Sequence, residues 1–286
     1  MSQIVYLNGR LIPRSNAFIS VMDYGFLYGF GLFETMRAYR GQVFHLERHL
    51  SRLAHSALAL GLSVEALALK GAVADTIQAN QLSEARIRIT VSIGEGGMAP
   101  DPSTCNKPTV LIVAEHYKPY PEKVYQKGFR AVVSSIRRNS QSPLPRLKSA
   151  NYLESILVRQ EARAAGVDEA LCLNEKGLLA EASMSNIFLV TDGILRTPDD
   201  ESGILPGITR ETILELAPQL GIKTIEQEIR LDELSQAEEA FLTNSLIEVM
   251  PLTELDGKPI SSGSPGPITQ RLMAAYKKLV LGITQA

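Results

Sequence analysis

The spacing of apolar residues along the chain changes several times, and each change marks an element. Ile4-Val5-Tyr6-Leu7, Asn8-Gly9 and Arg10-Leu11-Ile12-Pro13 together predict a β-hairpin, since Asn-Gly readily takes the two positive-φ positions of a tight turn. A glycine- and aromatic-rich stretch follows, DYGFLYGFGLFETMRAYRG. Helical spacing then runs over about 46–60, closed by Gly61, and over 63–79. The runs ARIRITVSI and PTVLIVAEHY predict strands, so residues 1–117 read as an α+β domain. Two prolines in YKPYPEKVY mark residues 118–125 as a connection, and residues 126–286 form a second domain.

In that second part FRAVVSSI predicts a strand. A helix is expected from RLKSANYLES onward, with Ser149 as its N-cap, Tyr152, Leu153, Ile156, Leu157 and Gln160 at helical steps, and Gly166 closing it. Strands are expected near 168–174 and 178–190, a helix from Gly207 to Leu220, further strands in EEAFLTNSLIEVMPLTELDGK, and a last helix near 265–281. No short-period repeat interrupts this order.

Composition narrows the function. A chain of 286 residues, 45% hydrophobic, can bury two modest cores. Its net charge of −2, with interspersed signs, offers no basic face for nucleic acid and no polybasic membrane patch, which leaves small-molecule chemistry. The start MSQIVYLNGRLIPRS lacks the apolar core of a signal peptide and no run reaches membrane-spanning length, so a cytoplasmic location is expected. Cys105 and Cys172 are far apart and without His or Cys neighbours at metal spacing, which indicates neither a disulfide framework nor a metal site.

Several places could carry chemistry. Lys148, at the start of the expected helix, sits where the helix dipole disfavours a cation; it is either a solvated lysine or an amine made available as a nucleophile. Pro206-Gly207-Ile208-Thr209 opens a helix whose first N–H groups suit an anion, although Pro-Gly is also an ordinary helix start. Glu181 ends an apolar strand, and a partly buried carboxylate there would need a cationic partner. Thr243-Asn244-Ser245 interrupt an apolar run, as an anion site or a simple turn would, and Arg52 lies on an amphipathic helix. One ligand would use them together: an aldehyde for Lys148, a phosphate for Arg52 and the Gly207 helix, and a ring nitrogen for Glu181. Pyridoxal 5'-phosphate has all three groups.

With these residues in place, the sequence resembles the class IV aminotransferases, the pyridoxal-phosphate enzymes of fold type IV. The resemblance lies in Glu181-x-Ser183-x-x-Asn186-Ile187-Phe188, Leu195-x-Thr197 and Leu205-Pro206-Gly207-Ile208-Thr209-Arg210, and extends through DYGFLYGFGLFET, HLSRL, KSANY, AGVDEALCLNEKG and TNSLIEVMPL. It implies a two-domain α+β fold, with a smaller N-terminal α/β domain and a larger C-terminal domain with a β-barrel-like core. It also implies that Lys148 is the Schiff-base lysine and catalytic proton carrier, Arg52 a phosphate ligand, and Glu181 the partner of the pyridine nitrogen. Ile208 and Thr209 would give the phosphate backbone N–H groups, Ser245 and Leu246 would complete that pocket, and Tyr152 would touch the ring oxygen. A homodimer is expected by the same resemblance.

The subclass is expected from smaller differences. GEGGMAP lacks the Arg-x-His carboxylate trap of D-amino-acid transaminases. Arg86-x-Arg88 keeps the second position of the Tyr-x-Arg of branched-chain transaminases, but TNSLIE stands where their Gly-Thr-Ala-Ala turn would be. GLFETMR, Ser185-Asn186 and FLTNSLIEVMPL resemble the aminodeoxychorismate lyases, which release 4-aminobenzoate and pyruvate. The lyase is therefore the first expectation and an amino-acid transaminase of the branched-chain kind the alternative. In either case Arg37 and Arg88 are candidates for holding a substrate carboxylate, because guanidinium pairs with carboxylate bidentately.

Overall fold

The computed structural model describes residues 3–62, 64–105 and 107–283. Among these, residues 3–118 and 147–151 belong to one compact unit, and Pro119–Arg146 and 152–282 to another.

The first unit contains β1 (Ile4–Leu7), β2 (Arg10–Pro13), α1 (Tyr24–Tyr28), β3 (Gly31–Tyr39), β4 (Gln42–Val43), α2 (Leu46–Ala59), α3 (Ala66–Ala79), β5 (Ala85–Ser92) and β6 (Thr109–His116). The opening hairpin forms as expected: Asn8 and Gly9 turn with φ of 48° and 93°, and Leu7 pairs with Arg10. The helix expected over 63–79 is described from Ala66, and residue 63 lies outside the described residues. The six strands form one antiparallel sheet in the order β2-β1-β6-β5-β3-β4.

Strict alternation along β5 sends Ala85, Ile87, Ile89 and Val91 to one face, where they pack with Leu50, Leu53 and Ala57 of α2 and Val73 and Ile77 of α3. Each fully buried Ile or Val there contributes about 1.5–3 kcal/mol. Arg86, Arg88 and Thr90 take the other face. On β3 the register pairs Leu32 with Val91, Glu34 with Ile89 and Met36 with Ile87, so Glu34 is a carboxylate on the apolar face.

The second unit contains α4 (Glu122–Lys127), β7 (Phe129–Arg138), α5 (Leu153–Ala164), β8 (Glu169–Asn174), β9 (Leu179–Ala182), β10 (Asn186–Thr191), β11 (Ile194–Pro198), α6 (Ile208–Gln219), β12 (Thr224–Gln227), α7 (Leu231–Ser235), β13 (Glu239–Asn244), β14 (Glu248–Leu255), β15 (Lys258–Pro259) and α8 (Pro267–Ile283). The strand expected over 178–190 is two strands, because Ser183-Met184-Ser185 leave the ladder between them. The proline-containing connection carries the short helix α4.

Its nine strands run β12-β11-β10-β13-β14-β7-β8-β9, with β15 on β14. The sheet curls into a barrel-like core: Leu178, before β9 at one edge, bridges Arg230, just beyond β12 at the other, and the Leu179 N–H donates to the Ile229 carbonyl at 2.8 Å. Register shifts in β7–β8, β8–β9 and β14–β7 bend the strands as curvature requires. Phe129, Leu171, Ile187, Leu242 and Met250 are among the side chains that fill the interior. Among the described residues no helix is long and apolar enough to cross a membrane.

One expectation is corrected. Lys148 is not at a helix start: α5 begins at Leu153 with Tyr152, not Ser149, as its N-cap. Leu147–Asn151 instead runs along the open edge of β3. Ser149 bridges Leu32 in antiparallel sense, the Phe33 N–H donates to the Lys148 carbonyl at 2.9 Å, and the Ala150 N–H to the Gly31 carbonyl at 2.8 Å. On that edge β4 pairs with Ala38 and Tyr39, so Gly31–Phe33 had polar groups to satisfy. The apolar spacing after Lys148 is helical, but the strand edge takes the backbone of Lys148 itself.

Candidate active site

Glu34 anchors one part of the first unit's chemistry. Residues 49 and 52 are one turn apart on α2, and both reach this carboxylate. Arg52 donates from Nε to Oε1 at 2.8 Å and from Nη2 to Oε2 at 2.7 Å, and His49 Nδ1 lies 2.8 Å from Oε2. Burial alone would raise the Glu34 pKa, but the charge of Arg52 and the hydrogen bonds from His49 and Arg52 outweigh it and hold the carboxyl at about 2. Burial lowers the His49 pKa despite Glu34, and the charges of Arg52 and Lys148 add to that lowering. The cluster is therefore an ionised carboxylate, a guanidinium and a neutral imidazole.

Lys148, tied to the edge of β3 by its own backbone, places Nζ 4.9 Å from the centre of the Phe33 ring. The Arg88 guanidinium lies 3.8 Å from the same ring and donates from Nε to Thr90 Oγ1 at 3.2 Å. Both cations are thus gathered at one aromatic ring. Arg37, four residues beyond Phe33 on the same face of β3, is buried against Tyr39 and Tyr117, its guanidinium 4.3 Å and 4.9 Å from their ring centres, with Glu84 at 3.9 Å. Arg37 is held by its own aromatic neighbours, whereas Arg88 shares Phe33 with Lys148.

In the second unit Glu181 is buried at the end of β9 and has the cationic partner that its burial demands. Arg138, the last residue of β7, pairs with Oε1, while Asn186 Nδ2 and the Leu205 N–H donate to Oε2 at 3.0 and 3.1 Å. Arg138 also donates from Nε to Glu154 Oε1 at 2.9 Å. Burial opposes the Arg138 charge, but the facing carboxylates raise its pKa above the ordinary arginine value. Tyr152, at the start of α5, is pushed up to about 12, first by burial and then by the negative charge of Glu181.

The helix start whose chemistry suits an anion is that of α6. Its N-cap is Gly207, which offers no side chain to the first-turn N–H groups of Ile208 and Thr209. Gly207 is required by closeness rather than by its φ of −80°: a Cβ there would lie 2.0 Å from Asn186 Oδ1. Asn186 also donates to the Leu205 carbonyl at 2.8 Å, so one side chain fixes both Glu181 and the approach to α6.

The TNSLIE stretch differs from the expectation in detail. Thr243 and Asn244 remain in β13, and the turn begins at Ser245. Asn244 Oδ1 accepts from the N–H groups of Leu246 and Ile247, both at 2.9 Å, and its Nδ2 donates to Ser185 Oγ at 2.9 Å. The wording that suggested a lyase thus serves the turn's own geometry, and the Leu246 N–H is already engaged there. Buried Thr243 Oγ1 has no hydrogen-bond partner among the described residues.

Sequence reasoning singled out Lys148, Arg52, Glu181 and the α6 start, and missed Glu34, His49, Phe33 and Arg138. A weak signal existed for Glu34: it shares alternate positions with Leu32, Met36 and Ala38. Arg138 carried none, since its partner lies 43 residues away.

As donor sets, the first unit presents an amine and a fixed guanidinium, and the second an anchored carboxylate and an uncapped helix start. They suit an aldehyde, a phosphate, a protonated ring nitrogen and the oxygens of a phosphate, so the residues fit pyridoxal 5'-phosphate. Fold and donors define a fold type IV pyridoxal-phosphate enzyme. A family model described as amino-transferase class IV matches residues 31–255. The chain is 39% identical over 278 residues, 96% of each protein, to a putative branched-chain-amino-acid aminotransferase of Methanocaldococcus jannaschii. The crystal structure of a branched-chain aminotransferase from Thermoproteus uzoniensis with norvaline superposes with a TM-score of 0.91 at 39% identity, over 99% of this chain and 96% of that one. The branched-chain amino acid aminotransferase from Thermobaculum terrenum, in its PLP-bound holo form, gives 0.87 at 30% identity, over 98% and 94%. The chain belongs to the class IV aminotransferases, and its cofactor is pyridoxal 5'-phosphate. The lyase expectation draws no support from these relatives, which favour the transaminase alternative.

Proposed function

We propose that this enzyme is a cytoplasmic branched-chain amino-acid transaminase, which moves the amino group of an aliphatic amino acid to a 2-oxo acid. The observation that carries this is the Phe33 ring with Lys148 Nζ at 4.9 Å and the Arg88 guanidinium at 3.8 Å: an amine and a carboxylate binder beside an apolar wall. The names of the relatives support the same reading.

In this proposal Lys148 tethers the cofactor, Arg52 and the N–H groups of Ile208 and Thr209 hold its phosphate, and Ser245 completes the phosphate pocket, the expected Leu246 N–H being taken by Asn244 Oδ1 instead. Glu181 faces the ring nitrogen and Tyr152 the ring oxygen. When bound, the cofactor supplies an aldehyde that takes up amino groups and a ring that accepts the electrons released at the substrate's α-carbon. Lys148 Nζ, as a neutral amine, takes the α-proton and returns it. Glu181, paired with Arg138, holds a proton on the ring nitrogen. Arg88, and Arg37 along the same face, orient the substrate carboxylate.

The cofactor-loaded protein is mixed with L-leucine, L-valine, D-alanine and 4-amino-4-deoxychorismate separately. L-leucine and L-valine are expected to convert it to the pyridoxamine form, seen in its absorbance. Release of 4-aminobenzoate, or conversion by D-alanine alone, would refute the reading. We also propose a homodimer, supported by Phe18, Val21 and Phe26, which are 81%, 73% and 74% exposed within one short stretch.

A further inference from the structure

We propose that Glu34 is a positioning residue for the cofactor phosphate: from the core face of β3 it fixes the guanidinium plane of Arg52, and so the direction of the N–H bonds that Arg52 turns toward the phosphate. This rests on the reading of Arg52 as a phosphate ligand.

The geometry carries it. Both Glu34 oxygens meet Arg52, at 2.8 and 2.7 Å through Nε and Nη2, which is the side-on pairing that leaves a guanidinium one orientation. Of the five N–H bonds of an arginine, this pairing takes two, so Glu34 sets where the remaining three point. His49 Nδ1, 2.8 Å from Oε2, holds the carboxylate in turn. Glu34 is fully buried. A carboxylate placed among Leu32, Met36, Ile87 and Ile89 is costly unless its partners are well placed, and here both are.

The strand makes the arrangement a ruler. Leu32 bridges Ser149, the residue after Lys148, and Phe33 bonds the Lys148 carbonyl. Glu34 is the next residue, about 3.4 Å further along a rigid strand. The lysine anchor and the arginine anchor are thus spaced by β3, and α2 does not set that distance alone.

Charge and orientation make opposite predictions, which lets an experiment separate them. Glu34 neutralises Arg52. If charge alone governed phosphate binding, removing it would tighten the cofactor; if orientation governs, removing it weakens the cofactor. Dissociation constants for pyridoxal 5'-phosphate and for pyridoxal, which lacks the phosphate, are measured by equilibrium dialysis on the full chain and on Glu34→Gln. The variant is expected to bind pyridoxal 5'-phosphate about tenfold more weakly, the worth of one charge-assisted hydrogen bond, with pyridoxal unchanged. Tighter or unaltered binding of pyridoxal 5'-phosphate, or an equal loss for both ligands, overturns the proposal.

If Glu34→Gln does not fold by circular dichroism, the same ratio is read on Glu34→Asp. Its shorter carboxylate keeps the charge but not the side-on reach, and the same selective loss is required. Arg52→Gln tests the underlying reading separately. If that change spares the ratio of the two ligands, Arg52 is not the phosphate ligand; if it shifts the ratio while the Glu34 variant does not, only the positioning role fails.

Discussion

Asn186 Nδ2 serves two acceptors, Glu181 Oε2 at 3.0 Å and the Leu205 carbonyl at 2.8 Å. Asn186→Ala deprives both, and denaturant unfolding should show a loss of about 1–3 kcal/mol. Asn186→Asp should cost more at neutral pH, because it sets a second carboxylate against Glu181, and the gap between the two variants should narrow as pH falls. On the proposed mechanism, in which Lys148 carries the α-proton, Lys148→Ala should lower turnover by about 10²–10⁴. Mass spectrometry after borohydride treatment of that variant should find no retained cofactor; retained cofactor would mean another residue is the tether.

Two glycines show how elements impose different demands. Gly9 has a φ of +93°, and a Cβ added there would meet none of the described atoms within 4 Å, so its cost on substitution is conformational. Gly9→Val should destabilise the β1–β2 hairpin by about 1–2 kcal/mol in equilibrium unfolding. Gly207 has an ordinary φ, but a Cβ would strike Asn186 Oδ1 at 2.0 Å. Gly207→Ala should therefore move Asn186, weakening cofactor binding together with stability. If binding is unchanged while stability falls, the link through Asn186 is wrong. Lys148 belongs to the same scale: its segment is held by β3, and α5 begins only at Leu153, so this amine does not occupy the helix's first turn, where the dipole acts most strongly.

For the whole molecule, pH acts through buried carboxylates of opposite sense. Glu34 is held at about 2 against an ordinary 4.5, so its contribution to stability is present above pH 4.5 and is lost as pH falls toward 2. Unfolding curves of the wild type and Glu34→Gln should converge across that window. Burial raises the pKa of Glu169, so the folded state is penalised as pH rises above the ordinary carboxylate value. Relative to the wild type, Glu169→Gln should therefore gain stability on going from acid to neutral pH. A homodimer in light scattering, converted to monomer by Phe18→Lys with Phe26→Lys, would match the apolar stretch around α1; an unaltered mass would place the contact elsewhere.

By itself the sequence determined the order of elements, the Asn8-Gly9 turn and the motif positions of Lys148, Arg52, Glu181 and Gly207, because period, turn chemistry and residue type are local properties. Tertiary structure decided what those residues meet. Glu34 became the partner of Arg52 only through the β3–β5 register and the docking of α2 on that face. Arg138 met Glu181 only because β8 brings the ends of β7 and β9 together. Lys148 left the expected helix because an open strand edge satisfied its backbone better than a helix start could, and hydrogen bonding across a fold cannot be read from spacing along a chain.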